Sequence, residues 1–330
     1  MSRYHILKKL QEQEGAFLSG EALSRELGIT RAAVWKGIEG LRKDGYEIES
    51  KTRMGYRLLA APEHLSADSI RSHLHTQVVG RTILCFDTLG STNTFAKKQA
   101  AEGCEDGLVI LADQQTGGRG RCGRTFESPS GKGVYLTALL RPNAAQMDVL
   151  PITALAAVAV CNAVEHVCGV RPGIKWTNDL VLNGKKLAGI LTEMGIEGES
   201  GRLEYVAIGI GINVNHQKTD FGAAVAELAT SLSMELGQTI SRSALAVALI
   251  EELDQMYAKL GKAFSEELAA YRRDCVTLGK EVRILGSGAE RRAYALEIDD
   301  QFALVVRNEK GERETIQSGE VSVRGLYGYL

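Results

Sequence analysis

Apolar residues follow three different rhythms along the chain. Up to residue 60 they first recur at helical spacing. Tyr4, Ile6, Leu7 and Leu10 predict one helix, and Glu21–Leu27 a short second helix stopped by Gly28. Val34, Ile38 and Leu41 give one face of a third helix, Arg31–Lys43, capped by Thr30. Tyr46–Glu49 and Tyr56–Leu59 then alternate as strands, joined through Ser50–Gly55. That order predicts a winged helix-turn-helix. Ala60-Ala61-Pro62 reads as a linker. In the middle region, strands over Thr82–Phe86, Leu108–Asp113, Gly133–Leu140 and Tyr205–Val214 mix with helices over Ser91–Ala101, Ile152–Val167 and Ser243–Leu260. Leu180–Leu182 and Leu187–Glu193 flank Asn183-Gly184, a strong short-range hairpin signal. Hairpin-linked strands imply an antiparallel or mixed sheet rather than a doubly wound parallel one. From residue 276 the strands shorten: Val282–Leu285, Arg292–Ile298, Ala303–Val306 and Val321–Arg324 suggest a small β barrel. The expected class is α+β, with domains over 1–62, 63–275 and 276–330.

The whole chain is an ordinary globular composition, 44% hydrophobic and 24% charged, with a net charge of -2. It is therefore not a general polyanion binder. Residues 1–60 hold 11 Lys+Arg against 8 Asp+Glu, so the predicted winged helix is the cationic part. Recognition helices present their first turns to the major groove, which points to Arg31, Trp35 and Lys36. Lys51 and Arg53 at the hairpin tip suit phosphates. A winged helix can also serve only protein contacts, and Trp35 fits a core position equally well. The six cysteines form no C-x-x-C pair or zinc spacing, which fits reduced thiols in a cytoplasm. The most apolar stretch, Ile152–Val167, is broken by Asn162, Glu165 and His166, so a buried helix is expected there, not a membrane span. No basic-then-apolar signal opens the chain.

The most distinctive chemistry lies in Gln115-Thr116-Gly117-Gly118-Arg119-Gly120-Arg121-Cys122-Gly123-Arg124, where three arginines sit between four glycines. Glycine permits positive φ and close approach, and arginine forks match carboxylate and phosphate oxygens. The segment reads as a mobile cationic loop, either ordered by an anionic ligand or forming a nucleic-acid patch. Four further segments could join it. Gly90-Ser91-Thr92-Asn93-Thr94 opens a helix and offers hydroxyls and free N–H groups, although plain capping by Ser91 explains it as well. Lys175-Trp176-Thr177-Asn178-Asp179 fits a polar site or a buried structural network. Lys185 and Lys186 precede Gly189-Ile190 and point to opposite strand faces. Gly209-Ile210-Gly211-Ile212-Asn213 places glycines where a ligand or backbone comes close. There is no Walker P-loop, dinucleotide fingerprint or hydrolytic triad pattern.

In this order, these motifs resemble the biotin–protein ligases over nearly the full chain. With the winged helix, the chain resembles the bifunctional members that also repress the biotin operon. The resemblance implies a central mixed-sheet domain like the class II synthetases and an SH3-like C-terminal barrel. It implies that the biotin carboxylate attacks the α-phosphate of ATP, giving biotinyl-adenylate and pyrophosphate, with Mg2+ bridging the phosphates. A lysine of a biotin carboxyl carrier domain in a biotin-dependent carboxylase then takes the biotin. By the same resemblance Lys186, Arg121 and Asp179 are catalytic. Ser91, Thr92, Asn93, Gln115, Gly118, Arg119, Arg121, Lys186, Gly189 and Ile190 hold biotin. Arg119, Arg121, Arg124, Phe126, Asn178, Lys186 and Asn213 hold ATP and the adenylate, and no protein-held metal set is implied. Operator DNA and a homodimer formed with adenylate bound are the further partners. Two departures stand out. Thr177 replaces the family's usual proline, which is expected to loosen the turn before Asn178. Cys122 lies where a basic or polar residue is usual. Two other readings are a biotin-sensing regulator without ligase activity and a lipoate-type ligase.

Overall fold

A computed structural model describes residues 2–13, 15–43, 46–60, 65–142, 151–198, 202–262, 264–285, 290–317 and 322–325. The chain divides into two compact units, Met1–His64 and Leu65–Leu330. The predicted linker residues Ala61 and Pro62 lie outside the described residues, as does Val321, where the last strand was expected to start.

The first unit contains α1 (Ser2–Glu12), α2 (Gly20–Leu27), α3 (Arg31–Lys43) and the antiparallel hairpin β1 (Glu47–Lys51) and β2 (Gly55–Ala60). The Ser19 hydroxyl caps α2 by accepting from Ala22 N, and Gly28 ends it with φ 62°. Thr30 Oγ1 accepts from Ala33 N at 3.2 Å and starts α3 as predicted. Ile6, Leu10, Leu23, Val34, Ile38, Leu41 and Ile48 make one small core. Trp35 stays outside it, 59% exposed.

The second unit is built on a seven-stranded sheet. It begins with α4 (Ala67–Arg71), β3 (Ile83–Leu89), α5 (Thr92–Ala101), β4 (Leu108–Gln115), β5 (Gly133–Leu140) and α6 (Ile152–Cys168). It continues through β6 (Gly173–Lys175), β7 (Asp179–Leu182), β8 (Lys185–Ile196) and β9 (Leu203–Asn213) to α7 (Leu232–Leu236), α8 (Arg242–Ala258) and α9 (Ser265–Asp274). The strand order is β3-β4-β5-β9-β8-β7-β6, with β3 and β4 parallel and every other pair antiparallel. A mixed sheet is thus observed, as the hairpin signals implied. Asn183 and Gly184 turn β7 into β8 with φ of 48° and 77°.

Alternation along the central strands assigns the two sheet faces. Val109 and Leu111 of β4 join the large core beneath α6 and α8, while Leu108 and Ile110 pack under α5. On β9, Ile208, Ile210 and Ile212 enter the large core, so Gly209, Gly211 and Asn213 face the other way. No helix among the described residues is long and apolar enough to cross a membrane. The C-terminal strands β10 (Glu281–Leu285), β11 (Arg291–Ile298), β12 (Leu304–Asn308), β13 (Arg313–Ile316) and β14 (Ser322–Gly325) form an antiparallel sheet, β13-β12-β11-β10-β14. Val282, Ile284, Ala295 and Leu304 extend the large core into this sheet.

Candidate functional site

A cleft of about 730 Å³ opens on the α5 face of the large sheet, in the size range of small-molecule sites. All but one of the site residues expected in this unit line it. Gly118 is the exception: it is buried under the loop, and a Cβ there would run into the Phe126 carbonyl and sit 2.9 Å from Ser128 Oγ. Its glycine is needed for folding the loop.

At one end, Ser91 caps α5 by accepting from Thr94 N at 3.4 Å, so the capping and site readings both describe the same residue. Gln115 Oε1 accepts from Thr92 N at 2.9 Å and Thr92 Oγ1 at 3.1 Å, and Gln115 Nε2 donates to Ser128 Oγ at 2.9 Å. Thr137 Oγ1 lies 2.8 Å from Thr92 Oγ1 and 2.7 Å from Asn93 Oδ1. Asn93 Nδ2 donates to Leu191 O and to Glu193 Oε2, both at 3.0 Å. The Asn93 amide is therefore engaged at both ends by protein, and it braces the polar end of the cleft. Burial opposes ionisation of Glu193, but hydrogen bonds from Lys97 and Asn93 outweigh it and hold its carboxyl below the usual range. Arg119 Nη1 reaches the same carboxylate at 3.8 Å.

The Gly/Arg loop is a folded hairpin. Phe126 N donates to Gly118 O at 3.0 Å and Gly120 N to Arg124 O at 2.7 Å, with Cys122 at the tip in left-handed geometry, φ 55°. Arg121 Nη1 donates to Thr177 Oγ1 at 2.8 Å and to Asn178 Oδ1 at 2.9 Å. Thr177 therefore does not loosen its turn: it is buried, and its carbonyl accepts from Tyr271 Oη at 3.1 Å. Arg124 and Cys122 are exposed at the mouth.

At the centre, Lys186 Nζ donates to Asp179 Oδ1 at 2.5 Å, with both side chains mostly buried. Gly189 makes room for that pair, since a Cβ there would lie 3.2 Å from Lys186 Nζ. The Ile190 side chain belongs to the core, and only its backbone serves the site: its N–H donates to Asn178 O at 2.9 Å and its carbonyl accepts from Asn178 Nδ2 at 2.8 Å. Farther along, Phe126 lies over Gly211 and meets Tyr135 edge-on, with centroids 6.4 Å apart. Asn213 Nδ2 donates to Thr230 O at 3.0 Å. Phe221, Val225 and Leu228 form an apolar wall beside it. The arrangement is polar and neutral at one end, cationic in the middle and apolar-aromatic at the other.

The chain matches the profile of the Biotin/lipoate A/B protein ligase family over residues 85–213. An HTH domain matches over 2–57, and the Biotin protein ligase C terminal domain over 277–324. It is 36% identical to the bifunctional ligase/repressor BirA of Bacillus subtilis over 97% of this chain and 98% of that protein. The chain belongs to the bifunctional biotin–protein ligase family. The Escherichia coli BirA is 29% identical over 94% of each chain. The biotin–[acetyl-CoA-carboxylase] ligase of Mycobacterium tuberculosis is 33% identical over 70% of this chain and 85% of its own length. Among solved structures, the Aquifex aeolicus ligase in complex with biotin and ATP superposes with a TM-score of 0.65 at 26% identity, covering 74% of this chain and 99% of that one.

Several residues in and around this cleft had no local signal in the sequence. Thr137 sits mid-strand in an apolar run, and Ser128 and Glu193 lie far along the chain from the groups they hold. Arg283 reaches the cleft from the C-terminal sheet. Glycines at 209 and 211 were the one sequence clue to what crosses β9, and the structure puts side chains there: Asn93 and Phe126.

The first unit's expected contact residues lie on its surface. Arg31, Trp35 and Lys36 are exposed on the early turns of α3, and Lys51 and Arg53 are exposed at the hairpin tip. Arg31 pairs with Glu21 at 2.7 Å, an exposed contact that phosphate can displace cheaply.

Proposed function

We propose that the protein is an ATP-dependent biotin–protein ligase that also represses transcription through its N-terminal unit. The observation that carries the ligase reading is the Lys186–Asp179 pair at the centre of the cleft, between a neutral polar end and an aromatic end. The neutral end, Ser91, Thr92 and Gln115 braced by Asn93, suits the ureido ring of biotin. Phe126 and Asn213 suit the adenine. That arrangement brings the biotin carboxylate and the α-phosphate together beside Lys186, Arg119 and Arg121.

In the first step a carboxylate oxygen attacks the α-phosphorus and pyrophosphate leaves. Negative charge accumulates on phosphate oxygens, and a cation fixed where charge develops contributes most of the stabilisation. Lys186 supplies it once its ammonium turns from Asp179 to the substrate. In the second step the amine of a carrier lysine attacks the acyl carbon, AMP leaves, and an amide forms. In this reading Asp179 takes the proton that the amine gives up. The Gly118–Phe126 hairpin covers the mixed anhydride and keeps water from it. Magnesium, held by the phosphates of ATP, would supply neutralisation of the pyrophosphate charge there.

The acceptor is a biotin carboxyl carrier domain of a biotin-dependent carboxylase. The second partner is operator DNA, read by Arg31, Trp35 and Lys36 with Lys51 and Arg53 on phosphates. Two winged helices on two half-sites call for a homodimer, formed when adenylate is bound. ATP, carrier and operator meet in the cytoplasm, where the reading puts the protein. Pyrophosphate release from ATP, with biotin and with lipoate in parallel, tests the chemistry. Release with biotin alone is expected. Release only with lipoate, or with neither, overturns it.

A further inference from the structure

Arg121, on the exposed Gly/Arg loop, donates from Nη1 to two neighbouring groups of one rigid segment, Thr177 Oγ1 and Asn178 Oδ1. Thr177 lies between two groups anchored to other elements. Before it, Trp176 N donates to Thr277 Oγ1 and Trp176 Nε1 to Phe302 O, both at 3.0 Å, which fixes the segment to the C-terminal sheet. Its own carbonyl accepts from Tyr271 Oη at 3.1 Å, and Tyr271 packs edge-on to Phe302 at 5.5 Å. After it, Asn178 Nδ2 is held by Ile190 O at 2.8 Å. The Thr177 side chain, 5% exposed, thus has little freedom, and its Oγ1 accepts from Arg121 Nη1 at 2.8 Å.

We propose that Thr177 is a positioning residue: its hydroxyl, beside Asn178 Oδ1, holds Arg121 over the cleft and so ties the Gly/Arg loop to the C-terminal sheet. The inference rests on the ligase reading for what the loop then covers, but not for the tether itself. A hydroxyl accepting from a guanidinium is a charge-assisted bond, stronger than a neutral one, and is held here at no cost in side-chain freedom. In this chain the loop is therefore set partly by the protein, and less of its ordering has to come from the adenylate. The carbonyl of Phe302 and the hydroxyl of Thr277 lie at the far end of the same series of contacts, so the C-terminal sheet bears on a loop that it does not have to touch.

Thr177→Val keeps the shape and removes the hydroxyl, and Thr177→Ser keeps the hydroxyl. Two readouts are needed on the full-length proteins. The first is trypsin cleavage within Arg119–Arg124 of the ligand-free proteins. The Val variant is expected to be cut about tenfold faster than the wild type, the fold-change that goes with one charged hydrogen bond, and the Ser variant at the wild-type rate. The second is the lifetime of bound adenylate after rapid gel filtration, with kcat and KM for ATP. The Val variant is expected to lose adenylate about tenfold faster and to show a raised KM at little-changed kcat, again with rescue by Ser. Equal cleavage of wild type and Val, or equal impairment of Val and Ser, overturns the proposal. A wild type that makes no adenylate overturns the ligase reading instead, and the cleavage experiment still decides the tether.

Discussion

Two glycines on one strand face should separate the two ends of the site. Gly209 and Gly211 both line the cleft, two residues apart on β9. A Cβ at 211 would lie 2.5 Å from Cε1 and 2.7 Å from Cζ of Phe126. Carbon atoms normally pack at about 3.5–4.0 Å, so in Gly211→Ala the ring has to retreat by about 1 Å or more. Overpacking of this kind costs about 1–3 kcal/mol, and loss of the edge-on contact with Tyr135 adds about 0.5–1.5 kcal/mol. A share of about 1.4 kcal/mol falling on nucleotide binding raises KM for ATP about tenfold, while biotin affinity stays unchanged. A Cβ at 209 would instead run into the Asn93 carboxamide. That amide cannot swing aside without losing Leu191 O and Glu193 Oε2, each worth about 1 kcal/mol. Gly209→Ala should therefore weaken biotin binding about tenfold or more and lower the melting temperature, with KM for ATP little altered. Biotin calorimetry and ATP-dependent pyrophosphate release on both variants test the reasoning. If Gly211→Ala weakens biotin, or if both variants respond alike, the assignment of the two ends is wrong.

Lys186→Ala should cut adenylate formation by about 10²–10³-fold, the usual loss when one such donor is removed, and near-normal rates in a quench-flow assay would end its assignment. Arg121→Gly should release adenylate early and biotinylate lysines outside the carrier; strict selectivity on a mixed-protein blot would contradict the loop's protective role. Burial pushes His216 down to about 4 from 6.5, because its ring is enclosed by Tyr135 and Phe221. The unfolded chain therefore takes up a proton first as pH falls, so stability is complete above 6.5 and lost toward 4. Between pH 7 and 5 this amounts to about 2 kcal/mol, and His216→Phe should show a urea-unfolding loss smaller by that amount; an identical pH dependence in both proteins would refute it. Trp35→Ala should weaken operator binding about tenfold without changing thermal stability, since the ring is 59% exposed; unchanged binding by fluorescence titration would remove it from the interface.

The elements with strong local chemistry were legible in the sequence. Ser91 caps α5, Asn183-Gly184 turns the β7–β8 hairpin, and Ile152–Cys168 is a buried helix, each by a rule that operates within a few residues. Short elements escaped: β6 has only three residues, β13 four, and α9 is mostly polar, so none carries enough apolar period to register. The site divided the same way. Motif residues with charge or glycine stood out, while their partners did not, because Thr137 and Ser128 acquire their roles only when strands come together across the sheet. Trp35 had no resolvable side in the sequence, since its place on α3 suited core and surface alike. Thr177 was misread for a related reason: against an expected proline it looked like a loss of stiffness, but its hydroxyl found a guanidinium 56 residues away.

The central claim is that this cleft makes biotinyl-adenylate and passes the biotin to a carrier lysine. The most direct test incubates the purified protein with ATP, magnesium and labelled biotin, first alone and then with a biotin carboxyl carrier domain. The expected result is a bound adenylate, detected by mass in the first mixture, that disappears in the second as one label appears on the carrier with release of AMP. Biotin bound without any adenylate or pyrophosphate would contradict it and leave a biotin-sensing regulator in its place.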